Sequence, residues 1–127
     1  MNLPNTLAQA AKECNHPLEE EGGIILKHKE TGNYDFVKLR NSNTGTDIAP
    51  CLWTADRYEY ADKIIPRIWN RSWEHYASFH THPRFVAFPS SIDLGTLFPG
   101  FPVNFIYSKL QNGITEWFTE KSGTTYV

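Results

Sequence analysis

The chain has 127 residues, of which 40% are hydrophobic and 20% are charged, and this composition predicts one compact domain over residues 1–127. Its formal net charge of −2 gives no electrostatic reason to expect a nucleic acid or an anionic membrane as a partner. The N-terminus lacks the basic start and apolar run of a signal peptide, and no stretch approaches the length of a membrane span. A cytoplasmic location is therefore expected. Cys14 and Cys51 are far apart and not in a C-x-x-C pair, so we expect buried or half-buried thiols.

The first third of the chain predicts a helix followed by a β-hairpin. Apolar residues at helical spacing favour a helix over residues 6–14, with Asn5 as its N-cap. The segments 22–28 and 34–39 have the apolar or alternating pattern of strands, and residues 30–33 between them carry turn chemistry. These two strands are expected to pair with each other.

A second helix is predicted to begin at Thr54 or Asp56, since either residue can cap a helix. Pro66 either bends this helix or ends it at Ile65, where a new turn would begin. A stripe at helical spacing is expected to be the buried face, and it consists of Tyr58, Ala61, Ile65, Ile68 and Trp69.

Three more strands, a proline-bracketed loop and a short helix are predicted in the rest of the chain. We expect the strands at residues 74–81, 103–108 and 114–118, the loop at 83–89, and the helix from Ser90 or Ser91 through Leu97. Asn112-Gly113 is the turn signal between the last two strands. The fold class expected is a mixed α/β (α+β) domain with a largely antiparallel sheet and two or three helices against it.

Two histidines at the end of the 74–81 strand predict a metal site. His80 and His82 are two residues apart, so on a strand they project from the same face of the sheet. By the same parity, His75 is expected on the opposite face and is not expected to be a ligand. Asp93 lies in the first turn of the predicted short helix and can supply a third ligand. Two imidazoles, one carboxylate and a fourth position for water compose a catalytic zinc site, where the water has a pKa of about 7.

Hydrolysis by such a water also needs a carboxylate base, and Glu19-Glu20-Glu21 before the Gly22-Gly23 strand is the obvious source. Ser90 offers a hydroxyl donor for a developing oxyanion. Each feature alone has a simpler explanation: a packed histidine pair, a capping box of Ser90 and Asp93, and a solvated charge run. Their combination favours the metal site.

The segment HTHPRFVAFPSSID resembles the JAMM motif of the MPN+ metalloprotease family. That motif reads His-x-His-Pro, a short spacer, Ser, two residues and Asp, and it is met at His80, His82, Pro83, Ser90 and Asp93. The upstream residues 20–25 (EEGGII) resemble the Glu-x-x-Gly start of a strand in that family. Alignment on Gly22 in place of Gly23 would select Glu19 in place of Glu20.

The resemblance implies a curved mixed sheet and zinc-dependent cleavage of a peptide or isopeptide bond, commonly at the C-terminus of ubiquitin or a ubiquitin-like protein. It also implies that His80, His82 and Asp93 hold one Zn²⁺, that Glu20 is the general base, and that Ser90 helps to stabilise the tetrahedral intermediate. The chain has no room for the insertions with which eukaryotic deubiquitinases of this family clamp ubiquitin. It is more similar to the minimal prokaryotic and phage-type members.

Two other functions are alternatives. One is a non-catalytic binding or scaffold module of the same fold, and it is disfavoured because every ligand position is filled. The other is a metal-dependent hydrolase of a phosphoester or a nucleobase. It is disfavoured because the cysteine ligands of cytidine deaminases are absent and the chain has no basic excess.

Overall fold

The structure is a computed structural model that describes residues 1–42, 55–83, 103–108 and 113–118, the last of these through the backbone. These residues form three helices and five strands: α1 (Leu3–Glu13), β1 (Gly22–His28), β2 (Tyr34–Leu39), α2 (Arg57–Lys63), α3 (Ile65–Trp69), β3 (Trp73–Thr81), β4 (Val103–Ser108) and β5 (Gly113–Phe118). None of these helices is long and apolar enough to cross a membrane. The predicted short helix from Ser90 or Ser91, and the loop before it, lie outside the described residues.

The strands form one mixed sheet in the order β2-β1-β3-β4-β5. Only the β3–β4 pair among them is parallel, and the other three pairs are antiparallel. A parallel pair needs a crossover connection, and the chain between Thr81 and Val103 supplies one. The predicted α/β fold class, with its largely antiparallel sheet, and the two predicted hairpins are thus confirmed.

Helices cover the two faces of the sheet. On one face, α1 packs over an apolar cluster that consists of Ala10, Cys14, Ile25, Phe36, Ala77, Phe79, Val103 and Phe105. On the other face, α2 and α3 pack over Ile24, Leu26, Leu39 and Ile64. The alternation of apolar residues along β1 therefore serves two cores, as expected for a central strand.

Gly23 allows β1 and β2 to approach each other closely. A Cβ at this position would lie 2.2 Å from the Val37 carbonyl oxygen and 2.8 Å from the Phe36 ring. A backbone oxygen of a paired strand cannot move aside without breaking the ladder. The residue before Ile24 therefore has to lack a side chain.

The N-cap of α1 differs from the prediction, whereas the start of α2 and the position of Pro66 match predicted alternatives. Asn2, not Asn5, caps α1, because its side chain accepts a hydrogen bond from the Asn5 amide at 2.8 Å. Asp56 caps α2 as one of the two predicted alternatives, and Pro66 lies in the first turn of α3, which begins after a break at Ile64.

The predicted buried stripe of α2 and α3 was wrong for Tyr58, Ala61 and Trp69, which are exposed, whereas Ile68 packs against the apolar cluster under these helices. Tyr58 is 68% exposed and Trp69 is 79% exposed, whereas Ile64 is fully buried. The Asp56 amide donates to the Arg40 carbonyl at 2.9 Å, and the Asp56 carboxylate pairs with the Arg40 guanidinium at 2.7 Å. These contacts tie the start of α2 to the end of β2 and set the rotation of the helix, which local spacing alone does not determine.

Candidate metal centre

The register of the sheet aligns polar residues across one end of β1. Gly22 pairs with Leu39 of β2 on one side and with His80 of β3 on the other. Extending these two pairings by two residues beyond Gly22, and the parallel pairing of β3 with β4 by one residue beyond Thr81, gives a row of four residues across the sheet. This polar row consists of Asn41, Glu20, His82 and Ser108, and all four residues are buried.

Backbone and side-chain hydrogen bonds hold this row together. The Thr81 amide donates to the Glu21 carbonyl at 2.8 Å, and the Glu21 amide donates to the Thr81 hydroxyl at 3.1 Å. The His82 amide donates to the Tyr107 carbonyl of β4 at 2.8 Å. The segment before β1 and the residue after β3 are therefore fixed in place although both lie beyond the strand ends.

His80 and His82 project from the same face, as their spacing predicts. Their Nε2 atoms lie 3.3 Å apart, and the side chains are 6% and 2% exposed. The Glu20 carboxylate, itself 2% exposed, faces both imidazoles, with Oε1 4.0 Å from His80 Nε2 and Oε2 4.0 Å from His82 Nε2. One carboxylate and two imidazoles thus converge in a water-poor space.

These residues fit a metal ion. Their ligand atoms lie within 4.8 Å of one another. Two nitrogens bound to one tetrahedral zinc at about 2.0–2.1 Å are separated by roughly 3.3 Å, which matches the observed distance between the two Nε2 atoms. Imidazole nitrogen with carboxylate oxygen suits Zn²⁺ and other late divalent metals better than Mg²⁺ or Ca²⁺, which favour all-oxygen sites.

The structure brings Glu20, and not Glu19, to the two histidines. Glu19 is half-buried and lines a neighbouring cleft. The other predicted site residues, the ligand Asp93 and the oxyanion donor Ser90, lie outside the described residues and stay predictions.

The parity argument for His75 was wrong. The register between β1 and β3 shifts at Ile25 and Leu26, where Ile25 pairs with Ala77 and Leu26 pairs with His75. Tyr76 is therefore the extra residue of a β-bulge, and His75 falls on the same face as His80. Local sequence carries no signal for such a bulge.

His75 is nevertheless remote from the metal centre. Its Nε2 lies 2.8 Å from the Tyr60 hydroxyl of α2, and the two rings are stacked. Burial lowers the pKa of His75 and raises the pKa of Tyr60. In the described part of the chain, the convergent donor atoms come from Glu20, His80 and His82.

A cleft of about 320 Å³ opens beside Glu20 along the end of β2. Its walls carry charges of both signs, and two ion pairs join them: Lys38 to Glu21 at 2.7 Å and Lys63 to Glu59 at 3.4 Å. Burial raises the pKa of the Glu21 carboxyl, but hydrogen bonds from Lys38 and from the His16 amide outweigh it, and the net pKa is lowered. The cleft is lined by these charged side chains and reaches Glu20, whereas neither His80 nor His82 lines it.

Comparison with known proteins agrees with this fold. A model of the family described as prokaryotic homologs of the JAB domain matches residues 4–120. A solution structure from Desulfitobacterium hafniense has a TM-score of 0.66 and 19% identity, and the match covers 94% of this chain and 82% of that chain. For a solution structure from Salinibacter ruber, the TM-score is 0.60, the identity is 23%, and the coverages are 99% and 87%.

At these identities the two solved structures show a shared fold. No curated protein matches the chain. The family model spans the whole polar row as well as the predicted positions of Ser90 and Asp93. The chain belongs to the prokaryotic homologs of the JAB domain, as its JAMM-like motif indicates.

Proposed function

We propose that this protein is a zinc-dependent peptidase or isopeptidase. Its proposed substrate is a peptide or isopeptide bond, with the C-terminus of a ubiquitin-like protein as the first class to test. The observation that supports this most directly is the buried Glu20 carboxylate, 4.0 Å from both His80 Nε2 and His82 Nε2. Neither a nucleic acid nor a membrane has a part in the proposal.

The proposed roles of His80, His82 and Glu20 follow from the positions of their side chains, and those of Asp93 and Ser90 follow from the JAMM-like motif. His80 and His82 would hold Zn²⁺ through their Nε2 atoms, and Asp93 is the proposed third ligand. Zn²⁺, when bound, acts as a Lewis acid that makes a water molecule nucleophilic near neutral pH. The Glu20 oxygens lie 4.0 Å from the two Nε2 atoms, farther than the roughly 3.3 Å that separates two ligands of one tetrahedral zinc, which suits a base that acts on water.

Proton transfer is the proposed task of Glu20. One carboxylate oxygen accepts a proton from the attacking water, and the same carboxylic acid then delivers it to the nitrogen of the leaving amine. The buried surroundings strengthen each of these electrostatic interactions because little water competes for them. Ser90 is the proposed donor to the oxyanion that forms on the substrate carbonyl.

A test of this function compares Glu20→Gln with the matched control Glu19→Gln. A panel of ubiquitin-like proteins with fluorogenic C-terminal extensions serves as substrate, and elemental analysis gives the zinc content of each variant. Glu20→Gln should keep its zinc and lose roughly 10²- to 10⁴-fold in turnover, the contribution typical of a general base. Glu19→Gln should keep both zinc and turnover.

Two results would contradict the proposal. A wild-type protein that takes up no zinc at neutral pH would remove its basis. Full turnover in Glu20→Gln would show that the base lies elsewhere. Stoichiometric zinc without cleavage of any substrate in the panel would favour the alternative, a non-catalytic binding module of the same fold.

A further inference from the structure

The pairing of β1 with β2 ends beside Glu20, where a side-chain hydrogen bond takes the place of the next backbone pair. The last backbone pair is Gly22 with Leu39, and continuing the register places Asn41 opposite Glu20. By that point the main chain of β2 has turned away, because the backbone of Asn41 forms an antiparallel bridge with Ala55. The Asn41 side chain continues the contact instead, since its Nδ2 donates to the Glu20 carbonyl oxygen at 3.0 Å.

We propose that Asn41 is a positioning residue that holds the main chain of residue 20 so that the Glu20 carboxylate faces His80 and His82. This inference rests on the proposed function, which gives Glu20 its task beside a metal. Asn41 is 4% exposed, so the hydrogen bond lies out of water. In such a place, hydrogen bonds to backbone groups strongly constrain geometry.

Asn41 is itself firmly supported. The neighbouring Arg40 amide donates to the Glu59 carboxylate at 2.5 Å, and the Arg40 carbonyl accepts from the Asp56 amide at 2.9 Å. The start of α2 therefore fixes the end of β2. Asn41, which follows β2, is fixed with it and in turn restrains the Glu20 carbonyl through its side-chain hydrogen bond. On the other side, Thr81 holds Glu21 through two hydrogen bonds. Residue 20 is fixed from both neighbouring strands.

The type of side chain at position 41 matters for this role. An amide offers an N–H donor without adding charge next to a carboxylate, whereas aspartate of the same shape offers only acceptors at neutral pH. Small displacements of a catalytic group carry large penalties, since a shift of about 1 Å can cost roughly 10²-fold in rate. Losing the donor at position 41 should therefore affect Glu20 far more than it affects the fold.

The experiment compares Asn41→Asp with Asn33→Asp, which makes the same chemical change at an exposed position in the turn at the far end of the same hairpin. The first readout is hydrogen exchange of the Glu21 amide in the metal-free protein. In Asn41→Asp this exchange should be about five- to tenfold faster, the factor that loss of one buried hydrogen bond gives. Exchange at Ile24–Leu26 should not change, and Asn33→Asp should match the wild type throughout.

The second readout separates positioning from simple support of the fold. Visible absorption of the Co²⁺-loaded protein is recorded for Asn41→Asp in the wild-type and in the Glu20→Gln background. If Asn41 acts through Glu20, the spectrum changes in the first background and not in the second, as the coupling logic of a double-mutant cycle requires. A merely structural role would change both spectra equally.

Four results decide the matter. Unchanged exchange of the Glu21 amide in Asn41→Asp, or equal acceleration at Ile24–Leu26, would overturn the inference. Equal spectral changes in both backgrounds would overturn it as well. A wild-type protein that binds no Co²⁺ would defeat the proposed function, and exchange of the Glu21 amide would then decide by itself whether Asn41 holds residue 20.

Discussion

Adding Zn²⁺ to the metal-free protein should raise its midpoint of thermal unfolding, and His82→Ala should remove most of that rise. An ion that binds the folded chain and not the unfolded chain shifts the folding equilibrium towards the folded state. Folding brings the Nε2 atoms of His80 and His82 to 3.3 Å from each other. The folded chain therefore offers the ion two converging ligands, and the unfolded chain does not.

The size of the effect follows from the zinc concentration relative to its dissociation constant. At 1,000 times that constant, the free energy of unfolding rises by about 4 kcal/mol. With an unfolding entropy of about 2.1 cal/mol/K per residue over 127 residues, this corresponds to roughly 15 °C. If the loss of one imidazole raises the dissociation constant to the zinc concentration used, only about 0.4 kcal/mol, or roughly 2 °C, remains.

Differential scanning calorimetry with zinc, and with a chelator, measures this directly. His75→Ala is the matched control, because it makes the same substitution on the same face of the sheet near the other end of β3. It should start from a lower midpoint, since it loses the contact with Tyr60, but it should keep the full gain from zinc. A gain that survives in His82→Ala, or that disappears in His75→Ala, would refute the assignment of the metal centre.

Three further predictions concern the fold around the site. Gly23→Ala should lower the free energy of unfolding by about 3 kcal/mol or more in urea titrations, because its Cβ would meet a backbone oxygen at 2.2 Å. Gly32→Ala, at φ 72° in open space, should cost only about 1 kcal/mol. Burial raises the pKa of Cys14 to about 12, so iodoacetamide at pH 8 should leave it unmodified in the folded protein and alkylate it in urea, as peptide mass spectrometry would show. Glu21→Gln should cost less than about 1 kcal/mol at pH 7, since the ion pair with Lys38 is partly exposed. The pKa of Glu21 is lowered on folding, so its contribution is present above the unfolded pKa and is lost as pH falls through the folded value. Urea midpoints of wild type and variant should therefore converge in acid.

The elements that were predictable from sequence are those with local signals. The strands at 22–28, 34–39 and 103–108 have the bounds that alternation and turn residues indicate. The spacing of His80 and His82 predicts their common face for the same reason, since strand parity is a local property. Register, bulges and the rotation of a helix depend on partners far along the chain. This is why the buried face of α2 and the face of His75 were predicted wrongly.

The role of Asn41 likewise depends on a partner far along the chain and could not be predicted from local sequence. Its partner, the Glu20 carbonyl, is 21 residues away, and nothing about an asparagine after a strand distinguishes a positioning residue from a loop residue. The choice between Glu19 and Glu20 was open for a similar reason. Which of two adjacent carboxylates faces the histidines depends on the parity of β1 relative to β3, and pairing sets that parity.

The position of the β-bulge explains how the site tolerates an irregular strand. In an antiparallel pair, the residues before one strand lie opposite the residues after the other. Glu20 therefore lies opposite His82 only if Gly22 pairs with His80. The bulge at Tyr76 precedes this pair along β3. It therefore brings His75 to the face of His80, opposite to the face that strict alternation predicts, and leaves the alignment of Glu20 with His80 and His82 intact. A one-residue shift between Ala77 and His80 would instead turn both imidazoles away from Glu20. We therefore expect an inserted residue in that stretch to disrupt the site, whereas an irregularity near Tyr76 does not.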